Sequence, residues 1–415
     1  MDFNVFAKQL KASKSILFVT SQLRQREIKM AHALRSLGWV VGLVYYHSTP
    51  FKPDGIFDFH LEVKSARKAY KYAEKLNPRI IHVFSGAIDD YVLLFCRNKI
   101  APVIIDLNDI FSPSLMKYCT ERYDPTKEAL ELADGFCARD LQVKYAEQLD
   151  NFQIPANIVF FPEYCWNKAT VTKKQADDEI HIVSVGTISL ETLEMYDSCY
   201  LELVKLITHQ KIHFHIFPPW SYRKDYHLNP SVNFERDYAD FIELARTNPY
   251  LHVHDSLPIE QLAEELPKYD FGIISGGYEG FGQRYTHCEP AYVESCYSGR
   301  IADYLDANLP ILINEEVIFN YSLLKRYGIV IDLKKAQQPD FKRQLQNILA
   351  DAKMKQQVAT AKSTLSIEKN ANRLANFYLK TMRKNLVYTS KKVSIFTRIT
   401  KMLPKRLAKI ASWSF

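Results

Sequence analysis

Residues 298–314, which read SGRIADYLDANLPILIN, combine groups that could bind a phosphorylated ligand. Ser298 and Gly299 come first, Arg300 follows, and Asp303 lies one turn further on. We predict a short helix that begins near Ser298 and leads into the buried strand LPILI. Free amides at a helix start attract anions, and a glycine lets a diphosphate come close to the backbone. The Asp303 carboxylate could then bind two vicinal hydroxyls, as on a ribose, so the stretch predicts a nucleotide site.

Buried strands and amphipathic helices must hold this stretch in place, and they alternate along the chain. The apolar runs SILFVT (15–20) and WVVGLVYY (39–46) read as strands, and residues 22–38 between them have helical spacing. The alternation resumes at IHIVSVG (180–186) and closes with GIVIDL (328–333). Uninterrupted apolar strands predict parallel sheets that helices cover on both faces. The predicted fold class is therefore α/β, with two Rossmann-like domains whose parallel sheets face a central cleft.

A polar, charged segment divides the chain into two halves. We predict a first domain over residues 1–165, a linker over 166–179 and a second domain over 180–365 that carries the nucleotide site. A helix is predicted over 366–385 and a basic amphipathic tail over 386–415. Because ligands of such sheets bind at the carboxyl ends of the strands, the cleft is the expected site.

Composition excludes several classes of protein. A chain of 415 residues, 47% of them hydrophobic, is globular and long enough for two cores. Only 13 residues are glycine, which argues against a long glycine-rich phosphate loop. The seven cysteines lack CxxC pairs and metal-ligand spacing, the first residues lack a signal-peptide core, and no apolar run reaches about 18 residues. We therefore expect a cytoplasmic protein with reduced thiols. The alternating histidines, His213, His215, His252 and His254, are expected on sheet faces rather than around a metal.

Basic charge is concentrated at the C-terminal end. Glu368 is the last acidic residue, and twelve of the 54 Lys and Arg follow it. Residues 1–368 therefore carry 42 basic and 47 acidic side chains, and the excess of positive charge lies in residues 369–415. Apolar residues repeat there at spacings of three and four, opposite a basic face. The predicted membrane contacts are Phe396, Ile399, Leu403, Leu407, Ile410 and Trp413. This pattern is typical of a helix on an anionic membrane surface, with a peripheral location on the inner face of the cell membrane. A helix packed on the body and a disordered tail are the alternatives, and no nucleic acid is expected as a partner because no stacking platform accompanies the charge.

Residues 298–314 resemble the donor-site segment of GT-B glycosyltransferases, especially the family-4-like, or group 1, enzymes. That family carries a pattern like Lys-(two residues)-Glu-Tyr-Leu-(two residues)-Gly-Leu-Pro-Val. DEIHIVSVGTIS and YLHVHDSLPIEQLAEELPKYDFGIIS resemble other parts of the nucleotide domain. ILFVTSQLRQREIKMAHALRSLGWVVGLV, PVIIDLND and ALELADGFCARD resemble parts of the acceptor domain. The resemblance spans roughly residues 14–335 and implies that the helix over 366–385 returns to the first domain.

The resemblance also implies which residues bind the donor. Asp303 takes the place of the ribose-binding acid, with Asp where the family usually has Glu. Many relatives have an Arg and a Lys near the phosphates, whereas VGTISLET has neither, so Arg300 or Arg284 would supply that charge. The implied donor-binding residues are Gly186, Thr187, Arg284, Ser298, Gly299, Arg300, Asp303 and Tyr304.

Three acids are candidates for catalysis. GYEGFG (277–282) resembles the Glu-Gly-Phe-Gly turn that faces the donor sugar, but Glu279 lies 24 residues before Asp303, whereas the family's acids are eight apart. Asp106 and Asp109 end a strand of the acceptor domain, where an inverting enzyme needs a base and a retaining enzyme does not. Ser21 and Gln22, which follow the first strand, are the acceptor-side candidates.

The resemblance implies transfer of a sugar from a nucleotide-diphosphate sugar to the hydroxyl of a glycan, lipid-linked or protein acceptor. Together with the tail, it favours cell-surface polysaccharide or glycolipid synthesis at the membrane. We expect no metal and no cofactor, because GT-B enzymes in general need none. A nucleotide-sugar epimerase of this fold and a non-catalytic GT-B partner subunit are the alternatives that the sequence leaves open, as it does the sugar and the stereochemical outcome.

Overall fold

Seven strands, all parallel, form the first sheet within the part of the chain that the structure describes. A computed structural model describes residues 3–12, 14–46, 51–85, 90–116, 120–166, 179–186, 188, 200–222, 233–276 and 288–383. The strands are β1 (Ser15–Thr20), β2 (Val40–Tyr45), β3 (Phe59–Glu62), β4 (Ile81–Phe84), β5 (Val103–Asp106), β6 (Gly135–Ala138) and β7 (Ile158–Phe160). They pair in the order β3-β2-β1-β4-β5-β6-β7. The helices are α1 (Phe3–Gln9), α2 (Gln25–Ser36), α3 (Ala66–Leu76), α4 (Asp90–Arg97), α5 (Thr120–Leu132) and α6 (Gln142–Asp150).

The second sheet has six strands among the described residues, again all parallel. They are β8 (His181–Val185), β9 (His213–Phe217), β10 (Leu251–Val253), β11 (Phe271–Ile274), β12 (Ile311–Ile313) and β13 (Val330–Asp332). They pair in the order β10-β9-β8-β11-β12-β13. The helices are α7 (Leu201–His209), α8 (Phe234–Asp237), α9 (Ala239–Thr247), α10 (Ile259–Glu265), α11 (Pro290–Ser295), α12 (Arg300–Asp306), α13 (Ile318–Lys325), α14 (Phe341–Ala350) and α15 (Ala352–Thr364). Two parallel α/β sheets are the predicted fold class. Each sheet reverses its strand order beside its first strand, which is where such sheets bind ligands.

The chain crosses between the two sheets at two adjacent points. Cys165 and Ser366 form an isolated parallel bridge. The amide of Cys165 donates to the Leu365 carbonyl at 3.0 Å, and the amide of Ile367 donates to the Cys165 carbonyl at 2.8 Å. We call these residues, 165–166 and 365–367, the junction.

The last described helix, α16 (Ile367–Arg383), leaves the junction and packs on the first sheet. Its Tyr378 hydroxyl hydrogen-bonds to His82 Nδ1 on β4 at 2.7 Å, and both residues are buried. Most of the predicted linker and the whole predicted tail, with its six membrane-contact residues, lie outside the described residues. No helix in the described part is both long enough and apolar enough to span a bilayer.

Five histidines lie on one face of the second sheet, on and beside β8, β9 and β10. His181 Nδ1 hydrogen-bonds to His215 Nε2 at 2.9 Å, and His215 Nδ1 hydrogen-bonds to His254 Nε2 at 2.9 Å. His213 and His252 form a similar pair at 2.8 Å. Burial, followed by repulsion from the neighbouring imidazoles, lowers the pKa of His215 to about 2 and that of His252 to about 4. This face therefore consists of hydrogen-bonded imidazoles, among which His215 and His252 are neutral at pH 7.

We predict that these histidines make the fold acid-sensitive. Below pH 6.5 the unfolded chain binds protons that the folded chain does not, so the free energy of unfolding falls as the pH falls. For His215 the slope approaches about 1.4 kcal/mol per pH unit. Urea denaturation between pH 7 and pH 4 measures it. The free energy of unfolding of His215→Leu should decline less steeply as the pH falls. An unchanged dependence on pH would contradict the assignment of this effect to His215.

Candidate functional site

A cleft of about 410 Å³ lies between the carboxyl ends of the two sheets. Residues after β4, β5, β6 and β7 and from the start of α2 line its first wall, while residues at the ends of β8 and β9, the start of α10 and α12 line the second. The charged residues of this lining are Arg24, Arg26, Glu27, Asp106, Arg139, Glu163, Glu260, Arg300 and Asp303. The described cleft thus brings together cations and acids from both halves of the chain.

Arg300 and Gly186 meet in the second wall, as expected for two donor-binding residues at strand ends. Gly186 has a φ of +81°, and a Cβ built there would lie 3.5 Å from Arg300 Nε. Glycine adopts this left-handed conformation without strain and leaves room for the guanidinium. Arg300 Nη1 donates to the Tyr200 hydroxyl at 3.2 Å. The guanidinium is therefore held beside the turn that follows β8.

Asp303 also faces the cleft, one turn along α12. Its side chain is half-buried, and within the described residues its carboxylate accepts no hydrogen bond. Burial raises the pKa of Asp303 to about 7, and Glu163 and Asp306 act in the same direction, whereas Lys29 and Arg300 oppose them. A ligand that donates hydrogen bonds to this carboxylate would favour its charged form.

The predicted anion site at Ser298 and Gly299 is more crowded than the sequence indicates. The amide of Ser298 already donates to Asn320 Oδ1 at 2.9 Å. A Cβ built on Gly299 would lie 3.2 Å from Glu163 Oε2, so a carboxylate from the first half occupies the space beside this glycine. Glu163 pairs with Arg139 at 3.4 Å. A Cβ at residue 299 would displace the Glu163 carboxylate slightly, and a phosphate at this point would require Glu163 to turn away.

Tyr304 lies in the core rather than in the cleft lining. Its hydroxyl hydrogen-bonds to the Val183 and Ile273 carbonyls, each at 3.1 Å, and accepts from the Val185 amide at 3.3 Å. The ring lies so close to Gly272 that a Cβ there would come within 2.3 Å of it. These contacts fix α12 against β8 and β11. Tyr304 therefore positions Arg300 and Asp303 and is not itself placed to touch a donor.

Asp106 ends β5 at the cleft, but it is committed to a buried ion pair. Arg26 Nη2 lies 2.7 Å from Asp106 Oδ2, and both residues are buried. The same guanidinium donates to the Phe161 carbonyl at 2.7 Å. Because a buried guanidinium occupies this carboxylate, the geometry favours a structural role for Asp106.

One group in the described chain has the composition of a metal site. Ligand atoms of His82, Asp106 and Cys137 all lie within 4.8 Å of one another. However, Arg26 Nη2 lies 3.6 Å from Cys137 Sγ as well as beside Asp106. Burial and the nearby Arg26 lower the pKa of His82 well below its usual value. The Arg26 guanidinium thus occupies the position beside Asp106 and Cys137 where a metal ion would supply positive charge.

Of the other predicted site residues, three are described but do not line the cleft, and three lie outside the described residues. Asp109 accepts a hydrogen bond from Tyr292 on α11 at 2.9 Å, and the Ser21 amide donates to Tyr91 at 3.4 Å. Asp109, Ser21 and Gln22 do not belong to the lining of the described cleft. Asp109 therefore joins the two halves rather than facing the cleft. Thr187, Glu279 and Arg284 lie outside the described residues.

Sequence reasoning missed several charged residues of the first wall. Arg139 directly follows β6, and Glu163 follows β7 by three residues, so the rule that ligands bind at carboxyl ends of strands could have found both. Glu27 accepts hydrogen bonds from Thr20 Oγ1 and from the Arg24 amide, each at 3.2 Å. Burial raises the pKa of Glu27 to about 6.

No family model matches the sequence, and no curated protein sequence does either. Solved structures match along most of the chain. A glycosyltransferase from Rickettsia africae aligns at 12% identity and a TM-score of 0.58, over 90% of this chain and 100% of that one. A sucrose-phosphate synthase from Thermosynechococcus elongatus gives 12% and 0.59, over 88% and 98%. An E. coli trehalose-6-phosphate protein, bound with UDP-2-fluoro glucose, gives 10% and 0.58, over 89% and 99%.

The chain has the GT-B fold. TM-scores of 0.58 to 0.59 over most of the chain show this fold, whereas identities of 10% to 12% are too low to show the activity of the chain. The fold class that the sequence predicts is thereby confirmed.

We predict that the Arg26–Asp106 pair stabilises this GT-B cleft rather than acting in chemistry. Arg26→Met should lower the free energy of unfolding by about 3–5 kcal/mol, because it leaves a buried carboxylate unpaired. Arg26→Met combined with Asp106→Leu should regain much of that loss. Chemical denaturation of the wild type, both single variants and the double variant provides the cycle. A loss below about 1 kcal/mol in Arg26→Met would contradict the structural role.

Proposed function

We propose that this GT-B chain is a glycosyltransferase that moves a sugar from a nucleotide-diphosphate sugar to a hydroxyl acceptor. The observation that carries the proposal is the placement of Arg300 against Gly186, one turn from the Asp303 carboxylate, in the cleft between the sheets. A cation beside a glycine turn suits a diphosphate, and an acid without a described partner suits the ribose hydroxyls. The E. coli relative that is bound with UDP-2-fluoro glucose supports the same class of donor.

In this reaction the acceptor oxygen forms a bond to the anomeric carbon, and the bond from that carbon to the diphosphate oxygen breaks. The acceptor hydroxyl releases its proton to the surrounding water, and the nucleoside diphosphate leaves with the bonding electrons. Negative charge grows on the diphosphate as this bond breaks, and a fixed guanidinium stabilises that charge without having to reorganise. Arg300 is proposed to supply this stabilisation, so that the reaction needs no resident metal or cofactor.

The acceptor is proposed to lie against the first wall, where Arg139, Glu163 and Asn108 offer polar groups. The basic, amphipathic pattern of residues 386–415 supports an acceptor at an anionic membrane surface, such as a lipid-linked or cell-surface glycan. This part of the proposal rests on the sequence of the tail alone.

Donor binding is the direct test. Calorimetry with UDP-, GDP-, ADP-, TDP- and CMP-linked sugars should find one donor that binds the wild type. Asp303→Asn and Arg300→Met should each lower the affinity for that donor by about ten- to a hundredfold, which is the usual cost of losing a hydrogen bond to a charged group. Glu260→Gln is the matched control, because it removes another acid of the same cleft, and it should change the affinity little.

Two outcomes would contradict the proposal. If none of the donors binds, the chain has no donor site and a partner-subunit role replaces transfer. If a donor binds and the protein converts it to an isomeric nucleotide sugar without any acceptor, the activity is epimerisation. Product analysis by mass spectrometry and chromatography distinguishes the isomer from a glycosylated acceptor.

A further inference from the structure

Lys29 on α2 is a buried amine whose hydrogen-bonding capacity is unused within the described structure. The residue is 1% exposed, and Nζ has no hydrogen-bond partner among the described groups. Its ion-pair contact is with Asp306 Oδ2 at 3.9 Å, and the ammonium lies 6.0 Å from the Trp166 ring centroid. Burying an ammonium group is costly unless a charge nearby compensates it, so its surroundings indicate its role.

Those surroundings are the junction and α12. The Trp166 amide donates to Asp306 Oδ1 at 2.7 Å. Lys362 on α15 donates to the Asp306 carbonyl at 2.8 Å. Lys29 belongs to the first half of the chain and Asp306 to the second, so their contact bridges the two halves at the place where the chain crosses between them.

Asp306 and Asp303 are three residues apart on α12, and residues at this spacing are neighbours on one face of a helix. The charged groups that act on Asp303 are Glu163 after β7, Arg300 and Asp306 on α12, and Lys29 on α2. Burial raises the pKa of Asp303, and among the charges that act on this carboxyl Lys29 has the largest influence, which lowers the pKa. The cation that most favours the charged form of Asp303 thus comes from the opposite half of the protein.

We propose that Lys29 is a positioning residue of the donor site: from the first half of the chain, its ammonium group holds the acidic face of α12 and so orients Asp303 toward the donor's hydroxyls. This inference rests on the proposed function, because it takes Asp303 as the donor-binding acid. If Lys29 has this role, the first half of the chain contributes to donor affinity. A donor site built only from residues of the second half would not depend on Lys29.

The test is the pH dependence of donor affinity, measured by calorimetry from pH 5.5 to pH 9 with the nucleotide sugar that binds the wild type. Wild-type affinity should fall as the pH drops and Asp303 takes up a proton. Lys29→Met preserves the length of the side chain and removes the charge. It should weaken binding about five- to tenfold at pH 7, move the midpoint of the pH profile upward, and recover most of the affinity at pH 9. Lys29→Arg keeps the charge and should keep the midpoint near that of the wild type.

Lys362→Met is the matched control, because Lys362 is also buried and also contacts Asp306, but through its carbonyl. It should lower the melting temperature and leave the midpoint of the pH profile unchanged. Circular dichroism shows whether each variant is folded. A Lys29→Met protein that binds as the wild type does, or that is weakened equally at every pH, would overturn the role of Lys29 while the proposed function stands. If Lys29→Met does not fold, a Lys29→Arg protein whose midpoint is displaced from that of the wild type, while the midpoint of Lys362→Met is not, would overturn it. Absence of donor binding by the wild type at any pH would remove the proposed function, and with it the role of Lys29.

Discussion

The backbone pairing of Cys165 with Ser366 is the constraint on which the cleft depends. Two parallel sheets have no intrinsic reason to face one another, because each one buries its apolar faces under its own helices. The side-by-side crossings bring the carboxyl end of each sheet toward the other, and α16 secures the arrangement by packing on the first sheet. Further contacts add to this constraint. The Leu141 amide donates to the Ser295 carbonyl at 3.1 Å, and the Glu289 amide donates to the Leu115 carbonyl at 2.9 Å.

Once the two ends face each other, the cleft must accommodate many charged side chains in a partly desolvated space. Most of these charges are compensated locally. Arg26 pairs with Asp106 and Arg139 with Glu163, and in each pair the attraction between the opposite charges offsets part of the cost of removing them from water. Asp303 differs, because no described group donates to its carboxylate and its pKa is raised. Acids with raised pKa values are commoner at functional sites than elsewhere, and the lack of a described donor distinguishes the Asp303 carboxylate from that of Asp106, which is paired with Arg26.

The sequence predicts the parts of this structure that depend on local patterning. Continuous apolar runs give β1, β2, β8 and β11 because both faces of those strands are buried. The edge strand β3 was not predicted, since FHLE is half-exposed and carries no such run. The meeting of Arg300 with Gly186 follows from the rule that carboxyl ends of parallel strands share one edge. The pairing of Asp106 with Arg26, 80 residues away, depends on how α2 packs across the sheet, and no local pattern contains that information.

Long-range packing also explains why the charged groups around the predicted phosphate site, at Ser298 and Gly299, differ from those that the sequence predicts. Its position is set within the second half of the chain, since the packing of Tyr304 on Gly272 and the strand after α12 fix this helix against the second sheet. What lies opposite is set by the other half of the chain: Glu163 reaches Gly299, and Lys29 reaches Asp306. A helix of seven residues can anchor only one face in its own core, so its other face takes its electrostatic character from whatever docks against it. The electrostatic surroundings of Asp303 therefore include Lys29 and Glu163 from the first half of the chain as well as Arg300 and Asp306 on its own helix.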